Sequence, residues 1–325
     1  MNPKHEVKNF SKTKGAGITL APVSIKFFTL LPKTNFNFIG LRHFFYLSSL
    51  ALVVGTVALL AARGVPLGVD FTGGIVAQFD AGPQASIEAV RSALAKEDLD
   101  GSVQSLGSPG IFMARFKKEE EGRGLDDRLA RALGAIAPDG SSKILSKDFV
   151  GAVVGEKLRS QALMAILLSF LGIIVYVGFR FRNLVWGVAG VIALVHDVVA
   201  TVGFLALTGY ELDLVLVAAL LTIAGFSIND TVVIFDRLRE RLRIYTRETL
   251  QESINRSLNE TLSRTILTSA TVFFVTAVLC LWGGRSIHPF AVAMLFGVIV
   301  GVYSTIGVAT NLVHSWSQWT GQKSR

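Results

Sequence analysis

Six long apolar runs constrain this chain more than any other feature. Crossing the hydrocarbon core of a bilayer takes about 20 residues, and four of the runs reach that length with no charged residue at all. The other two carry only a few polar residues. In chain order the six predicted spans are Phe44–Ala62, Ala162–Phe179, Leu184–Leu207, Leu212–Phe235, Thr265–Gly284 and Pro289–Val313.

Composition decides between a membrane bundle and a soluble one. The chain of 325 residues is 51% hydrophobic and only 17% charged, and its mean hydropathy is +0.51. Six helices of a soluble bundle would each show a polar face, and these runs show none. The sequence therefore predicts a polytopic α-helical membrane protein with six transmembrane helices, the first at 44–63 and the other five within 161–313.

Basic residues are concentrated on one side of the predicted spans. They are frequent in 1–43 and 237–263, whereas the loops LTGYELD and GGRSIHP hold one arginine between them. Because basic loops stay in the cytoplasm, both termini are predicted to be cytoplasmic, including the tail 314–325. The leader is too long for a signal-peptide n-region, so we expect the first span to remain as an uncleaved anchor.

The same basic flanks suit anionic lipids. They account for the formal net charge of +8, so nucleic-acid binding is not favoured. Within 237–263, leucine and isoleucine recur at helical spacing. This pattern predicts an interfacial helix, or else a surface for a partner.

The segment 64–160 is predicted to lie on the opposite, exported side, between the first and second spans. Its patterns alternate strand, helix, strand, strand, helix, strand, which is the order of a small α+β ferredoxin-like domain. The predicted elements are strand 73–80, helix 86–97, strands 102–107 and 111–117, helix 125–136 and strand 143–151.

Nothing in the sequence indicates an enzyme. The exported segment has no glycine-rich phosphate loop, no catalytic triad spacing and no histidine or cysteine cluster for a metal. Cys280 is the only cysteine. The prediction is therefore no catalytic residue, no metal site and no cofactor.

A carboxylate and an arginine face the same depth of the membrane in two consecutive predicted spans. Asp230 lies six residues before Asp236, hence roughly 9 Å inside the span, and Arg264 lies at the threshold of the next span. A charged side chain in the bilayer normally has an oppositely charged partner or a function. The two side chains are predicted to pair, with Asn229 beside them. A static clamp between two helices, or a snorkelling Arg264, is the alternative.

Two further features lie deeper in the predicted membrane region. His196 and Asp197 fall near the middle of the third span, where they either extend a proton path or bond to neighbouring helices. Gly297 and Gly301 form a small-xxx-small pattern that predicts a helix packing seam rather than a site.

Three motifs carry a resemblance to a known family. The stretch GVDFTGG (68–74) resembles the DFxGG signature of the SecF family, membrane subunits of the bacterial protein-translocation machinery. The stretches FSINDTVVIFDR (226–237) and NETLSRTILTS (259–269) resemble that family's two membrane motifs. Their order, the six spans and the length also agree with it. The motif residues in the exported segment are Asp70, Phe71, Gly73 and Gly74, and they are expected to position the exported domain against the membrane region.

The resemblance implies a function that composition does not supply. The family pairs with SecD in an assembly similar to RND-superfamily transporters, and it uses the proton-motive force to assist preprotein translocation and release. It implies SecD, the SecYEG translocon, a YajC-like accessory subunit and unfolded preprotein as partners, and the bacterial cytoplasmic (inner) membrane as location. Asp230 and Arg264 match its proton-coupling residues. An RND-type exporter half for a small molecule or lipid, and a non-transporting scaffold, are the alternatives.

Overall fold

The computed structural model describes residues 34–99, 101–106, 109–116, 124–137, 142–181, 184–284 and 286–320. Within these ranges six helices are long and apolar enough to cross a membrane, which confirms the predicted number. Most of the basic segment 1–43 and the end of the tail lie outside the described residues. The spanning helices are α1 (Arg42–Arg63), α5 (Ala152–Phe181), α6 (Leu184–Thr208), α7 (Leu214–Ile244), α8 (Leu250–Trp282) and α9 (His288–Ser304), which continues through a π-helical turn (Thr305–Ala309) into α10 (Thr310–Thr320).

The six spans divide into an inner and an outer set. Helices α6, α7 and α9 are more than half buried within the chain, whereas α1, α5 and α8 are mostly exposed. Small residues permit the close inner packing, because an added Cβ at Gly297 would lie 2.3 Å from Ile223 of α7. One at Gly301 would lie 3.5 Å from Ser227. The predicted packing seam is thus confirmed, and it lies between α9 and α7.

The domain between the first and second spans, which is predicted to be exported and is called the exported domain below, has the predicted order of elements. After the single turn α2 (Val69–Thr72) the domain folds as a four-stranded antiparallel sheet in the order β2-β3-β1-β4, with two helices on one face. The ferredoxin-like prediction is confirmed. Phe79, Leu94 and Leu129 are fully buried in the core between sheet and helices. The elements are β1 (Gly74–Asp80), α3 (Ile87–Lys96), β2 (Gly101–Ser105), β3 (Ile111–Phe116), α4 (Leu125–Ile136) and β4 (Lys143–Val150).

The exported domain joins the second span without a linker. Strand β4 ends at Val150 and α5 begins at Ala152, well before the apolar run that starts at Ala162. The first turns of α5 carry Glu156 and Lys157, which the sequence assigned to the domain because they are charged. They are helical because the chain continues as one α-helix before it reaches the hydrocarbon region.

The interfacial helix predicted over 237–263 is wrong. The segment is instead an upright hairpin formed by the end of α7 and the beginning of α8, with a turn at 245–249. Thr249 and Glu252 form a capping box that starts α8, with Glu252 N to Thr249 Oγ1 at 3.2 Å. The apolar stripe that suggested a lipid-facing helix, including Ile254 and Leu258, is buried in the core cluster that also contains residues of α7. Helical spacing identified the stripe but not what covers it.

The hairpin also explains the dense charges of this segment. Arg241 of α7 is only 4% exposed, and its guanidinium donates to Glu248 at 2.9 Å and to Glu260 of α8 at 2.5 Å. Arg237 donates to the same Glu260 at 2.6 Å. Charge pairs therefore join the two helices near the hairpin turn.

Candidate functional site

Asp230 lies on the inner side of α7 with one oxygen unpaired. The residue is 3% exposed, and its Oδ2 has no hydrogen-bond partner among the described residues. At about 1.5 Å per residue, it is roughly 24 Å along the helix from Leu214 and roughly 9 Å from Asp236. A carboxyl group with a free oxygen therefore lies in the half of the membrane region that is nearer to the α7–α8 hairpin.

Arg264 does not form the predicted ion pair. Its side chain is exposed on α8, and no salt bridge joins it to Asp230, although its charge acts on that carboxyl. Thr265, the next residue, is the one that faces inward, with 1% of its surface exposed. Adjacent helical positions differ by about 100°, so Arg264 points away when Thr265 points in. The sequence placed the two charges at one depth but not on one face.

Two buried hydroxyl groups of α8 resemble Asp230 Oδ2 in lacking an ordinary hydrogen-bond partner among the described residues. Thr265 Oγ1 and Ser269 Oγ are buried and make no hydrogen bond of ordinary geometry within the described part of the chain, although the Thr265 hydroxyl is close enough to act on the Asp230 carboxyl. Residues four apart lie on one face of a helix, one turn from each other. Each buried, unsatisfied polar group lowers the stability of the fold by about 1–3 kcal/mol. Internal water molecules usually bind at clusters of such groups. The arrangement suits a carboxyl that exchanges protons.

Asp197 has the opposite environment. It is fully buried, and its Oδ2 accepts hydrogen bonds from Ser227 Oγ of α7 at 2.5 Å and from Ser304 Oγ of α9 at 2.8 Å. Its Oδ1 lies 3.1 Å from Nδ1 of His196. One carboxyl thus joins the three inner helices α6, α7 and α9.

His196 connects this cluster to the first span. Its ring stacks on Tyr303 with centroids 5.9 Å apart, and the Tyr303 hydroxyl donates to Phe45 O of α1 at 3.0 Å. Ser48 and Ser49 of α1 contact the same hydroxyl at 2.6 and 2.8 Å. The polar cluster therefore runs from α7 through α6 and α9 to α1.

The predicted membrane-site residues fall into two groups rather than one. His196 and Asp197 are together, and Asp230 is near Arg264, but no hydrogen bond between described residues joins the two groups. Thr231 follows Asp230 in the chain, and its Oγ1 donates to Ser227 O at 3.2 Å and lies 3.1 Å from that of Thr305 in the π-helical turn. Asn229 is exposed on the other side of α7 and enters neither group.

Sequence reasoning missed Tyr303 and Ser304. Both lie in a charge-free run, in which serine and tyrosine give no signal of their own. The π-helical turn that follows them, of a type often found at functional sites, has no sequence signature either.

The motif GVDFTGG bonds the exported domain to the start of α7. Asp70 Oδ2 accepts from Leu214 N at 3.0 Å, and Phe71 is buried. Gly73 and Gly74 have φ of +73° and +137°, and a Cβ on Gly74 would lie 2.7 Å from Phe116 O of β3. Only glycine fits that backbone without strain. The motif thus contacts both the sheet and the membrane helices.

Known proteins with these features belong to one family. The family model described as "Protein export membrane protein SecD/SecF, C-terminal" matches residues 132–319, and the one described as "SecD/SecF GG Motif" matches 58–85. A "Protein translocase subunit SecF" of Endomicrobium trichonymphae is 38% identical over 291 residues, 89% of this chain and 94% of the relative. One of Desulfurispirillum indicum is 40% identical over 287 residues, 86% of this chain and 91% of the relative.

A solved structure has the same fold. The crystal structure titled SecDF, a translocon-associated membrane protein, from Thermus thermophilus superposes with a TM-score of 0.80 at 33% identity. The match covers 88% of this chain but only 39% of the SecDF chain. This chain therefore spans about two-fifths of the SecDF chain that it resembles.

Proposed function

We propose a function from one premise: the chain belongs to the SecD/SecF family of protein export membrane proteins. It is a multi-pass membrane subunit of the bacterial Sec protein-export machinery, with a transport role rather than a catalytic one. The relatives that share its length carry the name SecF, which favours protein export over an exporter half for a small molecule or lipid.

SecD is the partner that this assignment supplies. The family model names SecD and SecF together, and the solved structure that this chain resembles is titled SecDF, so we take SecD as the partner. The SecYEG translocon, a YajC-like subunit, unfolded preprotein and anionic lipids complete the proposed set of partners. Purification in mild detergent followed by identification of the co-purifying chains checks the set, and recovery of the chain without SecD contradicts it.

The further proposal is that Asp230 couples export to the proton-motive force. The observation that carries it is the buried, unpaired Oδ2 of Asp230 beside two unpaired hydroxyls, with Arg264 near but not bound. An ionised Asp230 attracts Arg264, and a protonated Asp230 releases it. The two protonation states thus favour different positions of α7 and α8.

The energy available is sufficient for such a movement. A proton that crosses about 100 mV of membrane potential releases roughly 2.3 kcal/mol before any contribution from the pH gradient. Shifts of a few kcal/mol are enough to change the populations of two conformations. One proton per cycle can therefore bias the helices.

The test uses Asp230→Asn, which keeps the size and removes the titrating proton. Precursor translocation is measured in inverted membrane vesicles at saturating ATP, with and without an uncoupler, at equal complex levels. In the wild type, the uncoupler should abolish part of the translocation, and this part is called the uncoupler-sensitive increment. The variant is expected to assemble and to lose this increment. Asp236→Asn is the matched control, because Asp236 lies on the same helix but is paired with Arg180 at 2.5 Å near the cytoplasmic end. If Asp230→Asn keeps the full increment, the proposal fails.

The proposed orientation places the exported domain outside the cytoplasm and both termini inside. Ser92 on α3 and Thr246 in the hairpin turn are both exposed. In a Cys280→Ser background, Ser92→Cys is expected to react with an impermeant thiol reagent in intact spheroplasts, and Thr246→Cys only after permeabilisation. The reverse pattern would overturn the orientation.

A further inference from the structure

The exported domain rests on the loop between α6 and α7 through two polar side chains. Arg115 of β3 forms a salt bridge with Glu211 of the loop. Gln104 of β2 donates to Gly209 O of the same loop at 3.0 Å. Because Ala114 and Phe116 point into the domain core, Arg115 points to the opposite face of the sheet, which α3 and α4 do not cover. That face carries the two side chains that contact the loop.

A second contact joins the beginning of the domain to the same loop. Gly68 N donates to Leu212 O at 2.7 Å, and Leu212 N donates to Pro66 O at 2.7 Å. Asp70 then accepts from the N–H of Leu214, the first residue of α7. The two segments pair through the backbone, so the domain is fastened to the helix at its entry as well as through its sheet.

The loop continues directly into the helix that carries Asp230. Helix α7 runs unbroken from Leu214 to Ile244, so the end held by the exported domain and the unpaired carboxyl belong to one rod. A displacement of α7 at Asp230 must move its exported end, and the contacts there decide whether the exported domain follows.

We propose that Arg115 and Glu211 are positioning residues that make the exported domain and α7 a single moving unit. The inference rests on the proposed coupling at Asp230 and adds how a movement at that residue reaches the exported side. The salt bridge stays closed throughout the cycle, and the domain follows α7 instead of releasing it.

The surroundings of the salt bridge support a firm contact. The side chains of Arg115 and Glu211 are 18% and 22% exposed, which limits screening by solvent. Among the described residues, Asp213 acts on Glu211 as a like charge, and Asp70 acts on Asp213 in the same way. Burial raises the pKa of Glu211, and Arg115 opposes that rise. Loss of the arginine would leave a half-buried carboxylate without its partner.

The first test breaks the salt bridge and then rebuilds it. Arg115→Ala and Glu211→Gln are each expected to lower the uncoupler-sensitive increment of translocation by about fivefold or more, the lower end of common coupling energies. Translocation with ATP alone should stay unchanged, which a merely destabilised complex would not show. The charge-reversed pair Arg115→Glu with Glu211→Arg should recover the increment. Arg131→Ala is the matched control, since Arg131 pairs with Glu97 within the domain at 2.8 Å.

The second test replaces the salt bridge by a covalent link. Arg115→Cys and Glu211→Cys are combined with Cys280→Ser and joined by a short, reducible bifunctional thiol reagent. Because the contact is proposed to stay closed, the linked complex should regain the increment that the unlinked pair loses. Recovery that disappears again on reduction supports the inference. An increment that is low while linked and rises on reduction would show that the contact must open, and the inference would be overturned.

The outcomes separate this inference from the proposed function. If Asp230→Asn abolishes the increment while Arg115→Ala and Glu211→Gln retain it, the positioning role is wrong and proton coupling stands. If Asp230→Asn retains the increment, the proposed coupling fails and the inference fails with it.

Discussion

Two buried aspartates of neighbouring helices differ in one physical respect. Asp197 has both oxygens engaged, by two serines and a histidine, whereas Asp230 has an oxygen with no partner among the described residues. A fully hydrogen-bonded carboxyl is held in place by several helices, and its loss leaves several groups unsatisfied. A carboxyl with a free oxygen costs stability and is ready to bind a proton or water. The same residue type therefore forms a joint between helices at Asp197 and keeps an unpaired oxygen at Asp230.

The largest expected effect is on stability at the joint. Asp197→Ala leaves Ser227, Ser304 and His196 without their acceptor, and we expect a loss of about 3–5 kcal/mol in the free energy of unfolding. Asp230→Ala removes an already unpaired oxygen and should cost far less. Thermal unfolding of the purified complex in detergent measures both. Equal losses for the two variants would remove the distinction between them.

A smaller effect is expected when one donor of the joint is removed. Ser304→Ala deletes one hydrogen bond to Asp197 Oδ2 and leaves the one from Ser227, so we expect a loss of about 1–2 kcal/mol. The uncoupler-sensitive increment of translocation should persist at equal complex levels. An increment that vanishes with normal stability would place Asp197 in the coupling step instead of in the packing of the helices.

Thr265→Val is expected to change stability little and coupling strongly. The variant removes a buried hydroxyl that makes no hydrogen bond of ordinary geometry, so the free energy of unfolding should change by less than about 1 kcal/mol. Thr261→Val, one turn earlier on the same face, is the matched control, since Thr261 Oγ1 donates to Ser257 O at 2.8 Å. The coupling increment should fall only for Thr265→Val. A stability loss at Thr265 as large as at Thr261 would mean that its hydroxyl is not free.

The smallest effect is expected at the exported end of α7. Asp213 caps the helix by accepting from Leu216 N at 2.7 Å, and burial raises the pKa of its carboxyl above the ordinary value of 3.8. A raised pKa favours the folded state at low pH, so this contribution is lost as pH rises from below 3.8 through the raised value. Asp213→Asn keeps a good cap and removes the titration.

The pH profile of unfolding checks that reasoning. The wild type should lose a few tenths of a kcal/mol relative to Asp213→Asn as pH rises through that window, and the two should agree below it. A difference that grows as pH falls would have the wrong sign and would contradict the assigned cause.

Sequence reasoning worked where periodicity and burial coincide. The six spans, the order of the exported strands and the buried position of Asp230 all follow from local patterns. Sequence reasoning failed for side-chain contacts between residues that lie far apart in the chain. The Asp197–Ser304 and Arg115–Glu211 contacts join residues 107 and 96 positions apart, and nothing local marks either. The hairpin of α7 and α8 was missed because a helical apolar stripe can face lipid or another helix with the same spacing.

The order of strands in the exported domain has a consequence for biogenesis. Central strand β1 pairs with β4, the last strand to be synthesised, and β4 leads directly into α5. The sheet therefore cannot close until the chain has been synthesised up to the second span. The bond from Leu214 N to Asp70 forms later still, because Leu214 follows the second and third spans in the chain. A pause before β4 is made leaves the edge of β1 open to a wrong partner. Insertion of the fourth span then supplies Leu214, and with it the bond that fastens the beginning of an already closed domain to the membrane helices.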